Sequence, residues 1–489
     1  MSFPFDNSYA RLPESFFRDC APGAVAAPAL ICFNRALADQ LGYQGDRSDA
    51  GQLAQVFSGN QLMAGSRPIA TAYAGHQFGG FNPGLGDGRA ILLGEVVATD
   101  GKRHDIQLKG AGRTPFSRGG DGRSPLGPVL REYLVSEAMH ALGVPTTRAL
   151  AAVTTGETVY RDRPLPGAIL TRVAASHIRV GTFQYFAAKR DIDALKTLAD
   201  YVIHRHFPEA AASAQPCLAL LQQVVTRQAE LISHWMSLGF IHGVMNTDNV
   251  LVSGETIDYG PCAFMDNFHP ETVFSSIDTG GRYAYQMQPA VAQWNMARLA
   301  ETLLPLIADD QDQAVEQATA VIRDFVSGYE AAWLRRFRAK IGLRAEQTGD
   351  QQLIEDLLAL MARQSVDFTL LFGSLHDALL SPAQAMTCEL FQDAAEWQGW
   401  ASRWRQRLLR EQQSPEQVAV LLQRTNPAVI PRNHRIEQAI EAATERQDFA
   451  DFHRLNRILA SPFQVTDEDL QWMAPPDPSE RVCKTFCGT

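Results

Sequence analysis

The chain has 489 residues, of which 45% are hydrophobic and 20% charged, and its formal net charge at pH 7 is -10. These values are typical of a folded globular protein, and the length predicts two or three packed lobes. The negative charge argues against nucleic acid or an anionic membrane as a partner. A local basic cluster of Arg113, Arg118 and Arg123 nevertheless suits a small phosphorylated ligand.

The sequence predicts neither export nor membrane insertion. No apolar run approaches the roughly 18–20 residues that span a bilayer, and the start MSFPFDNSYARL lacks the pattern of a signal peptide. The cysteines are odd in number and widely scattered, which argues against a secreted disulfide framework. We therefore expect a cytoplasmic protein without a structural zinc site, because no Cys or His spacing resembles one.

The N-terminal part of the chain predicts a β-rich lobe. Residues 1–88 mix short apolar pieces with Pro and Gly, and we interpret them as an extension packed on the next lobe, with helical periodicity only at 51–63. The runs 90–97 and 104–110 flank Asp100-Gly101, which predicts a β-hairpin. A helix is predicted over 128–143, which begins with Pro and ends with Gly.

A second β region is predicted over 149–180, with its turn at Thr155-Gly156-Glu157. Strands, one helix and strands again are the order of a protein-kinase N-lobe. We therefore predict an α+β, protein-kinase-like, two-lobed fold with a β-rich N-lobe at 89–188 and a large helical C-lobe at 189–460. The Pro- and Asp-rich tail at 461–489 is expected to lie extended over the surface.

Helical periodicity dominates the predicted C-lobe. The predicted helices are 193–206, 217–238, 289–307, 312–341, 351–371, 382–409 and 433–446. The stretch HGVMNTDNVLVSGETIDYG at 242–260 interrupts them, and we interpret its second half as a short hairpin with the turn at Ser253-Gly254.

That stretch carries part of the protein-kinase pattern. Kinases have H-R-D-x-x-x-x-N and then D-F-G, in which the first Asp is the base and the Asn and second Asp hold Mg²⁺. Here His242 and Asn249 keep the kinase spacing and Asp258 precedes Tyr-Gly, but Val244 occupies the position of the base. Asp248 is the nearest carboxylate that could replace it.

Asn249 and Asp258 supply hard oxygen ligands of the kind that Mg²⁺ prefers. Asn and Asp are also common turn residues. The kinase-like placement of His242 favours the metal site over that alternative.

Lys109 ends the second strand of the predicted hairpin, where a kinase keeps the lysine that contacts nucleotide phosphates. The ordinary alternative is a solvated lysine at a strand end. The helix that follows offers Glu132 and Glu137 as ion-pair partners, and we prefer Glu132 because it lies in the first turns of the helix.

Two glycine-rich segments, 84–90 and 110–125, are alternative phosphate-binding loops, and neither has the Walker A pattern. Each contains Asp-Gly-Arg, which places free backbone N–H groups beside a guanidinium and suits a triphosphate. Arg172 and Arg179 add positive charge beside these loops, and the alternative, which the sequence leaves equally open, is that both are solvated strand residues.

These segments together resemble the selenoprotein O family, a pseudokinase-like group of protein adenylyltransferases. The resemblance covers nearly the whole chain and rests on long, ordered motifs. They are FDNSYARLPESFF, TAYAGHQFGGFNPGLGDGRA, QLKGAGRTPFSRGGDGRSPLGPVLREYLVSEAMHALGVPTTRAL, HGVMNTDNVLVSGETIDYGPCAFMD, NPAVIPRNHRIEQAI and a Cys two residues before the C-terminal Thr489.

The resemblance implies that ATP binds in a flipped orientation and that AMP is transferred to a Ser, Thr or Tyr hydroxyl of a protein substrate, with release of pyrophosphate. It implies Asp248 as the proton acceptor, Asn249 and Asp258 as ligands of Mg²⁺ with Mn²⁺ as the alternative, and Glu132 as the partner of Lys109. The nucleotide would contact Gly86, Gly88, Arg89, Lys109, Asp121, Gly122, Arg172, Arg179 and Asp258.

The family's redox feature joins a C-terminal Cys to a Cys in the activation-loop region. Cys487 fits the first position, but 267–283 contains Ser275 and Ser276 and no Cys. The alternatives for Cys487 are a bond to Cys262, a local bond to Cys483, or a free thiol, and the missing activation-loop Cys ranks the first of these lowest.

Two functions from other classes compete with adenylyl transfer. A protein or small-molecule kinase would transfer the γ-phosphate, which Val244 in place of the base argues against. A catalytically inactive pseudokinase would act as a nucleotide-binding scaffold, which the retained Asn249 and Asp258 argue against.

Overall fold

The computed structural model describes residues 2–382, 385–464 and 466–486. Its strands are β1 Phe17–Asp19, β2 Ala29–Phe33, β3 Ile69–Thr71, β4 Gly75–Gln77, β5 Gly80–Asn82, β6 Ala90–Val97, β7 Arg103–Lys109, β8 Ser124–Pro125, β9 Arg148–Tyr160, β10 Pro164–Ala174, β11 Phe240–Ile241 and β12 Ala263–Phe264. Strands concentrate in the first 174 residues and helices in the rest, so the predicted α+β class is confirmed.

The helices are α1 Arg35–Gln40, α2 Ala50–Phe57, α3 Leu126–Ala141, α4 Val180–Ala188, α5 Ile192–His206, α6 Pro216–Leu238, α7 Gln288–Ile307, α8 Gln311–Lys340, α9 Asp350–Gln364, α10 Phe368–Leu380, α11 Ala394–Leu408, α12 Pro415–Thr425, α13 Asn433–Arg446 and α14 Ala450–Leu459. In the described ranges, no helix is both long and apolar enough to cross a membrane.

One antiparallel sheet organises the N-terminal half. Within the described residues it has eight strands in the order β1-β3-β6-β7-β10-β9-β2, with β8 beside β10. The predicted hairpin is confirmed, because β6 pairs with β7 from Ala90 opposite Lys109 to Val97 opposite Arg103. The first 88 residues contribute β1, β2 and β3 to this same sheet.

The sheet separates two hydrophobic cores. Leu37, Leu53 and Phe57 of the N-terminal helices pack on one face, against Ile91 and other buried residues of the central strands. On the other face lies α3, close to the predicted 128–143 helix, and its buried side chains belong to a core that continues into the C-terminal helices. The helix therefore joins the sheet to α13 and α14.

Two turn predictions are wrong. Thr155-Gly156-Glu157 lies inside β9, and the chain reverses at Arg161–Arg163. Gly156 has a φ of 70°, and Ala27 passes so close that a Cβ on Gly156 would lie 2.6 Å from that of Ala27. The glycine thus serves a close backbone approach.

The hairpin predicted over 250–260 is also absent from that fully described segment. Leu251 instead forms a bridge with Arg179, and Thr256 forms one with Thr146. Each half of the segment therefore pairs with a different neighbouring chain, and the turn at Val252–Ser253 only connects them.

The sequence predicted which segments are helical better than it predicted where each helix begins and ends. The segment predicted at 351–371 is two helices, because Ser365 adopts a left-handed φ of 53° and Asp367 caps α10 through Leu370 N. The predicted 382–409 helix begins only at Ala394, after the Asp393 cap, and residues 383 and 384 of that prediction lie outside the described residues. The helices α1, α4, α12 and α14 were not predicted.

Candidate active site

A cleft of 620 Å³ lies where β6, β7, β10 and α3 meet the loop 244–261. Its lining includes every residue to which the resemblance assigned a role in catalysis, in metal or nucleotide binding, or as the partner of Lys109. These are Gly86, Gly88, Arg89, Lys109, Asp121, Gly122, Glu132, Arg172, Arg179, Asp248, Asn249 and Asp258. Side chains from distant parts of the chain are therefore brought to one place.

Asp258 is surrounded by basic groups. Its Oδ1 accepts hydrogen bonds from Lys109 Nζ at 3.0 Å and from Arg172 at 2.7 Å, and its Oδ2 accepts one from Arg179 at 2.8 Å. Burial raises the pKa of Asp258, but the charges of Lys109, Arg172 and Arg179 outweigh it and hold this pKa well below its ordinary value. The carboxylate is therefore ionised at neutral pH.

The backbone of Asp258 is in the left-handed region, with a φ of 63°. A non-glycine residue in this conformation costs about 1–3 kcal/mol and occurs often at functional sites. The ion pairs around the side chain offset that cost, so the strained residue is held in the cleft.

Glu132 and Glu137 of α3 have different partners. Glu132 forms an ion pair with Lys109 and accepts a hydrogen bond from Arg172 at 3.1 Å. Glu137 accepts hydrogen bonds from both the guanidinium of Arg148 and the amide of Asn34, each at 2.8 Å. The helix thus presents Glu132 to the cleft and Glu137 to the β9 end of the sheet.

Asp248 is buried, with 8% of its surface exposed. Its Oδ2 accepts a hydrogen bond from Gln77 Nε2 at 3.1 Å, whereas its Oδ1 is buried with no hydrogen-bond partner among the described residues. Burial raises the pKa of Asp248 to about 6, although Arg179 opposes that rise. A buried carboxylate oxygen without a donor is a group that can accept a proton or bind a cation.

The neighbouring kinase-like positions have structural partners. Asn249 Nδ2 donates to Val244 O at 3.0 Å, which leaves its amide oxygen as a possible ligand atom. His242 is buried, lies in hydrogen-bond contact with Ile257 O at 2.8 Å and stacks on Trp235 at 5.3 Å between ring centroids. His242 therefore supports the loop from behind, and Val244 lines the cleft without any acid–base group.

The two glycine-rich segments, which the sequence left as alternatives, form one wall of the cleft together. Thr114 Oγ1 donates to Asp87 O at 2.6 Å, and Ser117 Oγ donates to Gly88 O at 2.5 Å. Gly86 has a φ of 65°, and a Cβ there would lie 2.3 Å from the ring of Phe116. The close packing of the two loops therefore requires glycine at this position.

Asp121 lies at the exposed rim of this wall. Its carboxylate oxygens accept hydrogen bonds from Arg161 at 2.8 and 3.0 Å, and these bonds, chiefly, lower its pKa. The carboxylate thus holds Arg161 at the cleft, and the sequence analysis did not select Arg161.

Other residues of the site had no distinct sequence signal. Tyr73 lies under the guanidinium of Arg179, with 4.8 Å between the guanidinium carbon and the ring centroid. Gln77 contacts Asp248 from the N-terminal extension, and Asn246 accepts a hydrogen bond from Tyr283 at 2.7 Å. These contacts depend on tertiary pairing, although Tyr73, Gln77 and Asn246 lie within the motifs already quoted.

Cys262 and Cys483 lie in different surroundings. Cys262 is buried and its Sγ donates to Tyr259 O at 3.4 Å, whereas Cys483 is exposed. The tail reaches this region, because Thr485 pairs with Ser275 and its hydroxyl donates to Pro261 O at 2.5 Å. Cys487 lies outside the described residues, so its pairing stays a prediction.

The donor atoms of the cleft fit a hard cation. Asp248 contributes a buried, unpartnered carboxylate oxygen, Asp258 an ionised carboxylate and Asn249 an amide oxygen. In the described ranges no group of three or more His, Cys, Asp or Glu side chains forms a ready metal centre. Such a cation would thus need oxygens of a bound phosphate to complete its coordination.

Comparison with known proteins identifies relatives over the full length. The family model described as protein adenylyltransferase SelO matches residues 1–460. The protein nucleotidyltransferase YdiU of Rhizobium etli is 58% identical over 491 residues, which cover 100% of this chain and 98% of that protein. The YdiU protein of Rhodopseudomonas palustris is 57% identical over 488 residues, covering 100% and 99% of the two chains.

Proposed function

This chain belongs to the SelO family and is a nucleotidyltransferase, and we propose that it transfers AMP from ATP to Ser, Thr or Tyr hydroxyls of protein substrates. The observation that carries the proposal is the arrangement of Lys109, Arg172 and Arg179 around Asp258 in the same cleft as the unpartnered oxygen of Asp248. The three basic side chains suit a triphosphate, and the carboxylate oxygen of Asp248 suits an acceptor hydroxyl.

The basic groups supply the charge that a triphosphate needs. Arg172 and Arg179 are each 2% exposed, and their side chains are fixed by Gln107, Glu132 and Tyr73 before any ligand arrives. Preorganised cations stabilise phosphoryl oxygens most when they need not move during the reaction. Backbone N–H groups of Gly88 and Gly122 would add donors along the same wall, whereas the N–H of Gly86 already donates to Tyr73 O at 3.0 Å.

The proposed reaction is a displacement at the α-phosphorus. The acceptor oxygen forms a bond to this phosphorus, the bond from phosphorus to the oxygen that bridges to the β-phosphate breaks, and pyrophosphate leaves with that electron pair. Asp248 Oδ1 takes the proton of the acceptor hydroxyl. This role suits a carboxylate whose pKa burial raises to about 6, since a base works best with a pKa near the working pH.

We propose Mg²⁺, with Mn²⁺ as the alternative, held by Asp258 and Asn249. When bound, the ion would supply positive charge for the phosphates and their leaving group. Lys109, Arg172 and Arg179 already neutralise the carboxylate of Asp258, so nucleotide phosphates and the ion would redistribute these contacts together.

We also propose that the architecture is protein-kinase-like, with lobes at 89–188 and 189–460, the extension at 1–88 and the tail at 461–489. The pairing of Lys109 on β7 with Glu132 on α3 supports this, because kinases hold their phosphate-binding lysine in the same manner. A γ-phosphoryl transferase is the alternative function. Val244 argues against it, because no carboxylate occupies the position of the kinase base.

Mass spectrometry of protein acceptors tests the proposal. The purified protein is incubated with ATP, Mg²⁺ and a desalted bacterial extract, and modified peptides are identified. We expect the mass of an AMP group on Ser, Thr or Tyr. Peptides that gain only the mass of a phosphate would replace the proposal with a kinase, and extract proteins that stay unmodified would favour a nucleotide-binding scaffold.

A further inference from the structure

A two-residue hairpin from the N-terminal extension forms part of the cleft mouth. Strands β4 and β5 pair with Gln77 opposite Gly80, so that Phe78 and Gly79 make the turn. Both have left-handed φ values, 49° for Phe78 and 87° for Gly79. Such a turn strongly prefers Asn, Asp or Gly at its first position, whereas this chain has a large aromatic residue there.

The left-handed backbone conformation of Phe78 is energetically unfavourable, which indicates a role for its side chain. A left-handed, bulky residue costs about 1–2 kcal/mol relative to glycine, and strain of this kind persists where the surroundings hold it for function. Phe78 is held by a hydrogen bond from its N–H to Asn246 Oδ1 at 3.0 Å. The ring lines the cleft yet remains 37% exposed, so burial in the core does not account for it.

The hairpin is attached directly to the loop that carries the proposed base. His76 N donates to Thr247 Oγ1 at 2.7 Å, Phe78 N donates to Asn246, and Gln77 Nε2 donates to Asp248. A Cβ on Gly75 would lie 2.5 Å from Asp248 Oδ1, which shows how closely this strand passes. A group that reaches Asp248 from solvent therefore passes beside this hairpin.

Two exposed apolar side chains and one half-buried cationic side chain lie around the same mouth. Phe81 is 44% exposed and packs on His76, and Ile277 is 63% exposed and lines the cleft. The guanidinium carbon of Arg282 lies 4.8 Å from the ring centroid of Trp294. In the described part of the chain Arg282 has no carboxylate within ion-pair distance, whereas the adjacent Arg298 is paired with Glu301.

We propose that Phe78, Phe81, Ile277 and Arg282 form a docking rim for the acceptor polypeptide, an inference that rests on the adenylyl-transfer function proposed above. The occupant is an extended segment of the substrate protein, with an apolar side chain next to the acceptor hydroxyl and an Asp or Glu side chain nearby. Because extended residues advance about 3.3–3.6 Å each, a segment with its hydroxyl at Asp248 places its flanking residues on this rim.

Two observations favour an extended acceptor segment as the occupant: the rim is continuous with the cleft, and its charge complements an acidic side chain. The rim begins at residues that line the reaction cleft, so whatever it binds is presented to Asp248. The guanidinium of Arg282, which stacks on Trp294 and has no ion-pair partner among the described residues, complements a carboxylate. The nucleotide does not account for Phe81 and Arg282, because neither lines the cleft.

A peptide library tests the rim. Synthetic peptides with one central Ser, Thr or Tyr and systematically varied flanks are incubated with wild-type protein, Mg²⁺ and ATP labelled in the α-phosphate. The wild type should favour peptides with an apolar residue beside the hydroxyl and an acidic residue nearby. Arg282→Gln should lose the acidic preference, and Phe81→Ser should raise the KM of the favoured peptide at least about fivefold.

The controls separate docking from folding and from nucleotide binding. Leu409→Ser and Arg323→Gln change exposed residues outside the cleft lining and should leave peptide selection unchanged. Phe78→Asn introduces a residue that readily adopts the left-handed backbone of the turn. It should weaken peptide use without lowering thermal stability. ATP affinity, measured by nucleotide binding, should stay within about twofold for Phe81→Ser and Arg282→Gln.

Several outcomes would overturn the proposal. The wild type could label the library without flank preference, the rim variants could select like the wild type, or ATP affinity could fall as much as peptide use. Labelling of extract proteins but of no peptide would exclude a linear segment. Failure to label either peptides or extract proteins would instead refute adenylyl transfer itself, and the docking rim with it.

Discussion

Lys109 Nζ lies 3.0 Å from Asp258 Oδ1, although the two residues are 149 positions apart in the chain. The contact joins the end of β7 to the loop before β12, and Arg172 and Glu132 complete the same buried network. Each charge in the network has an opposite partner, which keeps the cost of burial low. In the function proposed above, nucleotide phosphates would exchange with this carboxylate at the basic groups.

Replacement of Asp258 should affect both activity and stability. In Asp258→Asn the buried Arg172 and Arg179 lose a carboxylate, and breaking a buried ion pair typically costs about 3–5 kcal/mol. We expect nucleotidyl transfer to fall below detection and the protein without ligand to melt at a lower temperature than the wild type. Transfer assays and thermal unfolding measure the two effects.

Added ATP distinguishes this account from simple unfolding. Its phosphates supply negative charge to the unpaired arginines, so ATP should recover more thermal stability in Asp258→Asn than in the wild type. Asp356→Asn, which removes the partner of the exposed Arg403, is the matched control and should change little. Wild-type activity in Asp258→Asn would refute the assignment of Asp258.

Asp248→Asn tests the proton acceptor separately from nucleotide binding. The amide keeps the shape of the carboxylate but removes its basicity, and general-base help is worth about 10²–10⁴-fold. We expect kcat to fall by that factor while the affinity for ATP changes little. Steady-state kinetics and nucleotide binding check both parts, and an unchanged kcat would show that another group takes the proton.

Glu132 and Glu137 form a matched pair on α3. Glu132→Gln removes the carboxylate that positions Lys109 and Arg172, so we expect at least about a tenfold loss of kcat/KM, since small misplacements of catalytic groups cost up to about 10²-fold. Glu137→Gln weakens contacts with Arg148 and should lower stability with little change in activity. The reverse pattern of activities would exchange their assigned roles.

Many residues that line this cleft could be predicted from the sequence, because each motif that contains them is a continuous stretch of the chain. Lys109, Asn249 and Asp258 occupy strand ends and loops whose spacing predicts a nucleotide site, and the structure brings them into one cleft. The roles of Tyr73, Gln77 and Arg161 could not be predicted from the sequence. Their contacts depend on where residues 73–77 and the β9–β10 connection cross the cleft.

Local patterns failed where long-range packing decides the backbone. Gly156 predicted a turn, yet it permits the approach of Ala27 to a continuous strand. Ser253-Gly254 predicted a hairpin, yet Leu251 and Thr256 pair with separate distant segments. The short helix α12 was missed although Ser414 and Gln417 form a capping box, which is a signal that sequence alone contains.

Asp105 gives the fold a pH dependence away from the cleft. This buried carboxylate accepts hydrogen bonds from Arg205 at 2.5 Å and from the backbone N–H of His177 at 2.8 Å. Burial raises the pKa of Asp105, but the charge of Arg205 and the hydrogen bonds outweigh it, so the pKa lies below its ordinary value of 3.8. The ionised form therefore stabilises the fold.

Because this pKa is lower in the folded state, the stabilisation is present above pH 3.8 and is lost as the pH falls below that value. We expect Asp105→Asn to be less stable than the wild type by about 3–5 kcal/mol at pH 7. The difference should shrink at pH 3 and below. Denaturant unfolding at several pH values measures it, and a difference that does not change with pH would contradict the role of ionisation.

The position of the transferred phosphate tests the central claim most directly. Parallel reactions contain the protein, Mg²⁺ and a bacterial extract, with ATP labelled either in the α-phosphate or in the γ-phosphate, and Asp258→Asn is the control for background. Adenylyl transfer predicts protein-bound label from α-labelled ATP only, with the γ-label recovered in pyrophosphate. Protein-bound label from γ-labelled ATP and none from α-labelled ATP would contradict the account.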